Sequence, residues 1–285
     1  MNIFKSLLFI KKNRIDIIVS TGGYMAFPYC LAAFILKKKI FLFEPNSVLG
    51  RSNKLTIPFS HKIMCTDRNL KNFPSKYNSK KIEIYPILRR QLYELKKNSV
   101  NSRDKIKIIL IIGGSQGASF FDDKISKLIV EISKNYKIKI IQQISDKGNI
   151  KSVEDIYKKE KVNYKLFEFT DNITHIYQNV DLAITRGGAN TLSELSFLKI
   201  PFISIPLPSA RDNHQFYNSN FYYQKKGCWI IDQNKFELKK SINLILEILN
   251  NNEDYKDKIN NLDQINQKNT WNNVNNRIIE IINED

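Results

Sequence analysis

Short runs of β-branched and aromatic residues, bounded by glycine or turn-forming residues, alternate along this chain with longer amphipathic stretches. That alternation predicts parallel strands joined by crossover helices, an α/β fold. The predicted strands are residues 15–20, 40–43, 62–65, 106–112, 138–142, 164–167, 182–185 and 202–205, and a helical segment, 3–12, precedes the first of them. Between 86 and 107 the pattern lapses into polar and charged residues before a strongly apolar strand resumes. The domain boundary is placed there, giving domains over 1–100 and 101–269. The remaining stretch, 270–285, carries Val274, Ile278, Ile281 and Ile282 at helical spacing and can pack back on the first domain or against the second. The first domain holds about three predicted strands, fewer than the ~4–6 usual for open sheets.

The length, 285 residues, suits two domains, because a single core stops growing near that size. Charge adds more. Forty-five Lys and Arg face 28 Asp and Glu, a net of +17, and the excess is local: residues 1–100 carry 19 basic and 5 acidic side chains, residues 101–285 carry 26 and 23. A polyanionic partner is expected on the first half: nucleic acid, an anionic membrane surface or a phosphorylated substrate. No helix-turn-helix, RRM or zinc signature accompanies the charge, so nucleic acid is not the expected partner. Cys30, Cys65 and Cys228 lie far apart without a C-x-x-C, which fits a reducing compartment and suggests neither a disulfide framework nor a zinc site. The longest apolar stretch, 24–36, is 13 residues interrupted only by Pro28, too short to span a bilayer. Lys11, Lys12, Asn13 and Arg14 follow the apolar start where a secretory signal needs small residues. A cytoplasmic protein is expected.

Candidate chemistry gathers at strand-to-helix turns. In I-I-L-I-I-G-G-S-Q-G-A, residues 108–118, a buried strand enters a glycine-rich turn and then a helix. That arrangement offers unpaired backbone N–H groups and a positive helix end to a phosphate. It is neither a P-loop nor a strict G-x-G-x-x-G. Thr21, Gly22, Gly23 and Tyr24 form a second such turn, and T-R-G-G-A-N-T-L-S-E, 185–194, a third. There Thr191 and Glu194 are read as lying in the first turn of a helix, where a carboxylate either closes a capping box or accepts hydrogen bonds from the vicinal hydroxyls of a ribose. A polar cluster at 206–218 contains His214 and Gln215. Ligands of open α/β sheets bind outside the carboxyl ends of the strands, so these turns converge by topology. The chain lacks H-E-x-x-H and the D-x-D of metal-dependent sugar-nucleotide enzymes, and Asp122-Asp123 falls in helical context. Neither a metal nor a cofactor is expected.

Taken in order, S-T-G-G-Y-M-A-F-P, F-E-P-N-S-V-L-G-R-S-N, I-G-G-S-Q-G-A, E-F-T-D-N-I, T-R-G-G-A-N-T-L-S-E and D-N-H-Q-F-Y-N resemble the MurG family, over about residues 14–229. The resemblance implies two Rossmann-like, doubly wound domains facing a cleft, the glycosyltransferase B type. It also implies inverting transfer of N-acetylglucosamine from UDP-N-acetylglucosamine to the undecaprenyl-pyrophosphoryl-N-acetylmuramyl-pentapeptide of peptidoglycan synthesis, and through it a part in cell-wall growth, cell shape and division. On the donor side it implies that Ser115, Gln116 and Gly117 lie by the diphosphate and sugar, and that Phe169 and Thr170 face the uracil. Ala189, Asn190 and Thr191 would line the pocket, Glu194 would take the ribose hydroxyls, and His214 and Gln215 would approach the sugar. On the acceptor side it implies Thr21, Gly22, Gly23, Tyr24 and Asn46, with Glu44 as the candidate general base.

The family's first glycine loop, G-G-T-G-G-H, has no counterpart here, so the amino-terminal domain reads as incomplete by about two βα units. The family's H-E-Q-N reads Phe43-Glu44-Pro45-Asn46, and its N-P-V-R reads Tyr85-Pro86-Ile87-Leu88 with Arg89 displaced by one. A lipid acceptor implies peripheral docking on the cytoplasmic face of the inner membrane. Ile3, Leu7 and Phe34, flanked by Lys5, Lys11, Lys12, Lys37, Lys38 and Lys39, suit an anionic surface, unless these apolar residues pack inside. The alternative function is a truncated, non-catalytic homologue that binds a UDP-sugar or the membrane without transfer.

Overall fold

In the computed structural model, which describes residues 2–95, 107–113, 119–144 and 147–284, the chain divides into two units. Met1–Ile87 and Lys268–Asp285 form the first, and Leu88–Gln267 the second. The first is built on a parallel sheet of β1 (Ile17–Ser20), β2 (Lys39–Glu44), β3 (Lys62–Cys65) and β4 (Lys81–Glu83), in that order. β2 buries every residue after Lys39, as a parallel strand covered on both faces must. Its alternation sorts two cores. Ile40 and Leu42, with Ile63 and Cys65 of β3, meet Ile10 of α1 (Ile3–Lys12), Cys30, Ala32 and Ala33 of α2 (Ala26–Ile35), and Ile57 beyond α3 (Arg51–Thr56). On the opposite face Phe41, Phe43 and Met64 meet Ile281, Ile278 and Ile282 of the final helix, Trp271–Asn283. The tail therefore packs on the first unit, a choice its periodicity left open.

β4 is absent from the predicted strands because K-I-E is too short and too polar a run to stand out. Strand order in this sheet follows the sequence without reversal. Among the described residues β1 is an edge, with Ile17 and Val19 exposed along it.

The second unit opens with α4 (Arg90–Glu94), whose Leu92 joins Leu88 in the core. The units thus part ahead of residue 100. Six parallel strands follow in the order β10-β9-β8-β5-β6-β7. They are β5 (Ile108–Ile112), β6 (Lys139–Gln143), β7 (Asn163–Phe167), β8 (Leu182–Thr185), β9 (Phe202–Ser204) and β10 (Cys228–Ile230). β10, Cys-Trp-Ile, is apolar but at three residues is too short a run to stand out. Between the strands run α5 (Ser126–Ser133), α6 (Lys147–Lys159), α7 (Ile173–Tyr177), α8 (Ala189–Phe197) and α9 (His214–Gln224). Then come α10 (Leu238–Asn250), α11 (Asn252–Asn266) and the tail helix, α12. The chain winds outward from β5 to β7, returns to β8 on the other side of β5, and winds outward again. This is the order of a dinucleotide-binding fold, with its topological switch point between β5 and β8. One apolar cluster lies under α5, α6 and α10, another under α7, α8 and α9. Among the described residues no helix is long and apolar enough to cross a membrane.

Candidate functional site

At the switch point the carboxyl ends of β5 and β8 are tied together by a hydrogen bond from the Arg186 N–H to the Ile112 carbonyl, 3.3 Å. The glycine turn after β5, with Ser115, Gln116 and Gly117, lies outside the described residues. The turn after β8 is well defined. Arg186 is buried with its guanidinium over the Phe121 and Phe120 rings at 4.7 and 5.6 Å. It donates through Nη1 to the Ile205 carbonyl at 3.0 Å and to Gln233 Oε1. Burial lowers its pKa to about 10, so the group remains a cation at neutral pH. Gly187 follows because nothing larger fits: a Cβ there would stand 2.2 Å from the Gln215 carbonyl oxygen and 2.7 Å from Ser219 Oγ.

α8 starts at Ala189 with Gly188 as N-cap and no side-chain cap. Its first N–H groups, at Ala189, Asn190 and Thr191, are therefore left without intrahelical partners, and the positive helix end is unshielded. The capping-box reading of Glu194 fails here. Glu194 is the sixth residue of α8 rather than part of its first turn, and its carboxylate is engaged elsewhere. Tyr177, at the end of α7, donates its hydroxyl to Glu194 Oε2 at 3.1 Å, and Arg89 Nε lies 3.2 Å from Glu194 Oε1. The pair is lopsided, with the Glu194 side chain 8% exposed and that of Arg89 54%. Burial raises the Glu194 carboxyl, and Arg89 and then the Tyr177 hydrogen bond pull it back. The Tyr177 phenol is raised far more, by burial first and then by the Glu194 charge. It stays protonated and acts as a donor.

Other expected donor-side residues fall into two groups. Phe169 is 77% exposed in the loop after β7, and Thr170 Oγ1 accepts the Asn172 N–H at 3.1 Å, closing that loop locally. His214 turns Nδ1 back to the Arg211 carbonyl at 2.8 Å at the start of α9. Gln215 is committed to scaffolding: its side-chain oxygen accepts the N–H groups of Gly187 (3.2 Å) and Leu207 (3.0 Å), joining two of the turns. That role differs from the expected approach to a sugar.

In the first unit, Gly22 and Gly23 adopt φ of 81° and 88°, conformations that favour glycine, and the Gly22 N–H is held by Ser20 Oγ at 3.1 Å. Thr21 and Tyr24 are exposed beside them. Glu44 is buried, and both of its oxygens are occupied. Oε1 accepts from Asn46 N and Nδ2 at 3.2 and 3.0 Å, and Oε2 from Gly50 N and Asn53 Nδ2 at 2.8 and 2.9 Å. Four donors converging on one carboxylate make it the anchor of the 44–53 loop. With both oxygens engaged inside the loop, Glu44 has a structural role in place of the expected general base, and Asn46 shares in the same anchor. Arg89 was met in the sequence only as the arginine one place off the family's N-P-V-R; Tyr177, Arg186 and Gln233 were not singled out as site residues. Each acts through a partner distant in the chain, and no local spacing marks them.

The amino-terminal domain model of glycosyltransferase family 28 matches residues 1–65, and its carboxy-terminal domain model matches residues 108–274. The chain is 46% identical over 282 residues to the UDP-N-acetylglucosamine--N-acetylmuramyl-(pentapeptide) pyrophosphoryl-undecaprenol N-acetylglucosamine transferase of Pelagibacter ubique, covering 99% of this chain and 78% of that one. It is 35% identical over 269 residues to the transferase of the same name from Rickettsia felis, covering 91% and 74%. Among solved structures it shares the fold of Acinetobacter baumannii MurG, with a TM-score of 0.78 at 22% identity over 99% of this chain and 79% of that one. A UDP-GlcNAc 2-epimerase from Neisseria meningitidis bound to UDP-GlcNAc gives a TM-score of 0.71 at 16% identity, over 99% and 80%.

Proposed function

The chain belongs to glycosyltransferase family 28 and, within it, to the MurG family; from that premise we propose that the switch point of the second unit holds the donor of its reaction. The enzyme transfers N-acetylglucosamine from UDP-N-acetylglucosamine to the lipid-linked N-acetylmuramyl-pentapeptide of peptidoglycan synthesis. The observation that carries the donor assignment is Glu194: a buried carboxylate, steadied by Tyr177 and faced by the exposed Arg89 cation, one helical turn and a half from an uncapped helix start. A carboxylate there accepts both hydroxyls of a ribose. The N–H groups of Ala189, Asn190 and Thr191 face the charged part of the nucleotide.

Chemically, the acceptor sugar's hydroxyl attacks C1 of the donor while UDP departs, and the configuration at C1 inverts. The buried Arg186 cation and the α8 dipole stabilise the negative charge that grows on the leaving diphosphate. The acceptor hydroxyl gives its proton to a base as the new C1–O bond forms, and Glu44, whose two oxygens are occupied by four donors, is not assigned that role. The test is the configuration of the product, read from the anomeric coupling in an NMR spectrum. A β-linked disaccharide is expected from the α-linked donor, and an α-linked product contradicts direct displacement.

Membrane docking is assigned to α1 and α2. Helical phase turns Phe4 and Leu8, with Phe34 and Ile35, outward beside the exposed Lys5, Lys11, Lys12 and Lys37. Ile3 shares that exposure, whereas Leu7 packs inward on the core. Lys38 is paired with Asp16 at 2.6 Å and Lys39 begins β2, so neither is as available as Lys37. An apolar patch ringed by lysine suits an anionic bilayer surface at the cytoplasmic face, with cell-wall growth and division as the downstream process. Replacing Phe4 and Phe34 together by serine is expected to weaken binding to phosphatidylglycerol vesicles about tenfold or more, with UDP-N-acetylglucosamine binding unchanged. Undiminished co-sedimentation with the vesicles contradicts the assignment.

A further inference from the structure

The two oxygens of Glu194 are not equivalent. Oε2 faces inward to the hydroxyl of Tyr177, which is itself buried, its ring packed in the cluster that also holds Leu88, Val180, Ala183 and Leu195. A phenol fixed on all sides by apolar neighbours cannot follow the carboxylate if it rotates, so it dictates one rotamer. Oε1 faces Arg89, whose side chain is more than half exposed and rests on the carboxylate from outside. A long exposed side chain exchanges readily with an incoming donor, whereas a buried hydroxyl does not. The inner oxygen is permanently bound and the outer one is only occupied until something better arrives.

We propose that Tyr177 is a positioning residue for nucleoside recognition: it locks Glu194 so that only the outer oxygen is presented to the ribose, while Arg89 is a place-holder that yields on binding. The inference rests on the assignment of Glu194 to the ribose and adds the residue that makes the contact selective. Without the phenol, Oε2 becomes a buried acceptor lacking its donor. The carboxylate then rotates to recover a partner and loses the geometry that distinguishes a ribose bearing hydroxyls from one lacking them.

The experiment is a ligand-truncation cycle by calorimetry at about pH 8, where carboxylates are ionised, with UDP and 2′,3′-dideoxy-UDP as probes. Wild type is expected to prefer UDP by about tenfold or more. Tyr177→Phe is expected to weaken UDP by roughly that factor while leaving the dideoxy probe within about twofold, so that the preference collapses. A general loosening of the fold moves both probes equally, and that result overturns the proposal. Arg89→Met separates the two partners of Glu194 and does not depend on Tyr177→Phe folding. If Arg89 is only a place-holder, the preference survives its loss, and disappearance of the preference in Arg89→Met overturns the proposal. A wild type that does not distinguish the probes removes the ribose assignment itself, and the inference with it. A wild type that distinguishes them, beside a Tyr177→Phe that does so equally well, removes the inference alone.

Discussion

Glu194→Gln is expected to lower kcat/KM for UDP-N-acetylglucosamine about a hundredfold, mostly through KM, because hydrogen bonds to a charged acceptor are worth ~1.5–3 kcal/mol each. The amide keeps the shape of the carboxylate and still accepts from Tyr177, so the pocket survives while the charge is lost. Unfolding is not the cause. The folded protein raises the Glu194 carboxyl, chiefly by burial, so this group favours folding below its unfolded pKa and that contribution is lost as pH rises through the folded value. At neutral pH a neutral amide therefore costs the fold little. The same shift gives the binding a direction with pH: donor affinity in the wild type falls as pH drops through the raised value, and in Glu194→Gln it does not. Initial rates over a donor series, repeated across pH, check both statements. An unchanged KM would remove Glu194 from the site.

Gly187→Ala is expected to cost about 3 kcal/mol of stability, seen as a lower urea midpoint at unchanged slope. The added methyl would stand 2.2 Å from the backbone oxygen of Gln215 and 2.7 Å from Ser219 Oγ. A helical carbonyl cannot give way alone, so α9 must move. With it go the bond from Asn218 Nδ2 to the Gly187 carbonyl (3.0 Å), the Ser204–Ser219 pair and the Gln215 bridge between the two turns. Gly188→Ala is the contrast. There the nearest atom to a new Cβ is Thr191 Oγ1 at 3.9 Å, and the change is expected to stay within about 1 kcal/mol. Equal midpoints for the two variants would contradict the packing described at the β8 turn.

These two positions mark how far the sequence could be read. T-R-G-G-A-N-T-L-S-E announces a turn after a strand and a helix with a carboxylate in it, because apolar periodicity and glycine are local signals. It does not say which glycine is packed against α9, nor that Glu194 lies beyond the first turn, since helix starts without a side-chain cap leave no mark in the residues. The strands that went unread, β4 and β10, are three residues each at sheet edges, where burial is too shallow to impose a pattern. Glu44 was legible only through the family resemblance, as a candidate base; its four donors were not, two of them the Gly50 N–H and the Asn53 amide. Tyr177 and Arg89 both precede Glu194 in the chain, the first by 17 residues and the second from before β5, and only the winding of β5 to β8 brings them together. Phe4 and Leu7 lie three residues apart, only about 60° around the helix, yet Leu7 packs on the core and Phe4 is exposed, a distinction that packing decides and composition does not.

The most direct test is transfer itself: the chain is incubated with UDP-N-acetylglucosamine carrying a labelled sugar and with the undecaprenyl-pyrophosphoryl-N-acetylmuramyl-pentapeptide in anionic vesicles, and label in the lipid is followed alongside released UDP. The expected result is label entering the lipid in step with UDP, both lost together in Glu194→Gln at low donor concentration. Donor bound by the wild type with no label reaching the lipid would contradict the account and leave a nucleotide-sugar-binding protein of the same fold.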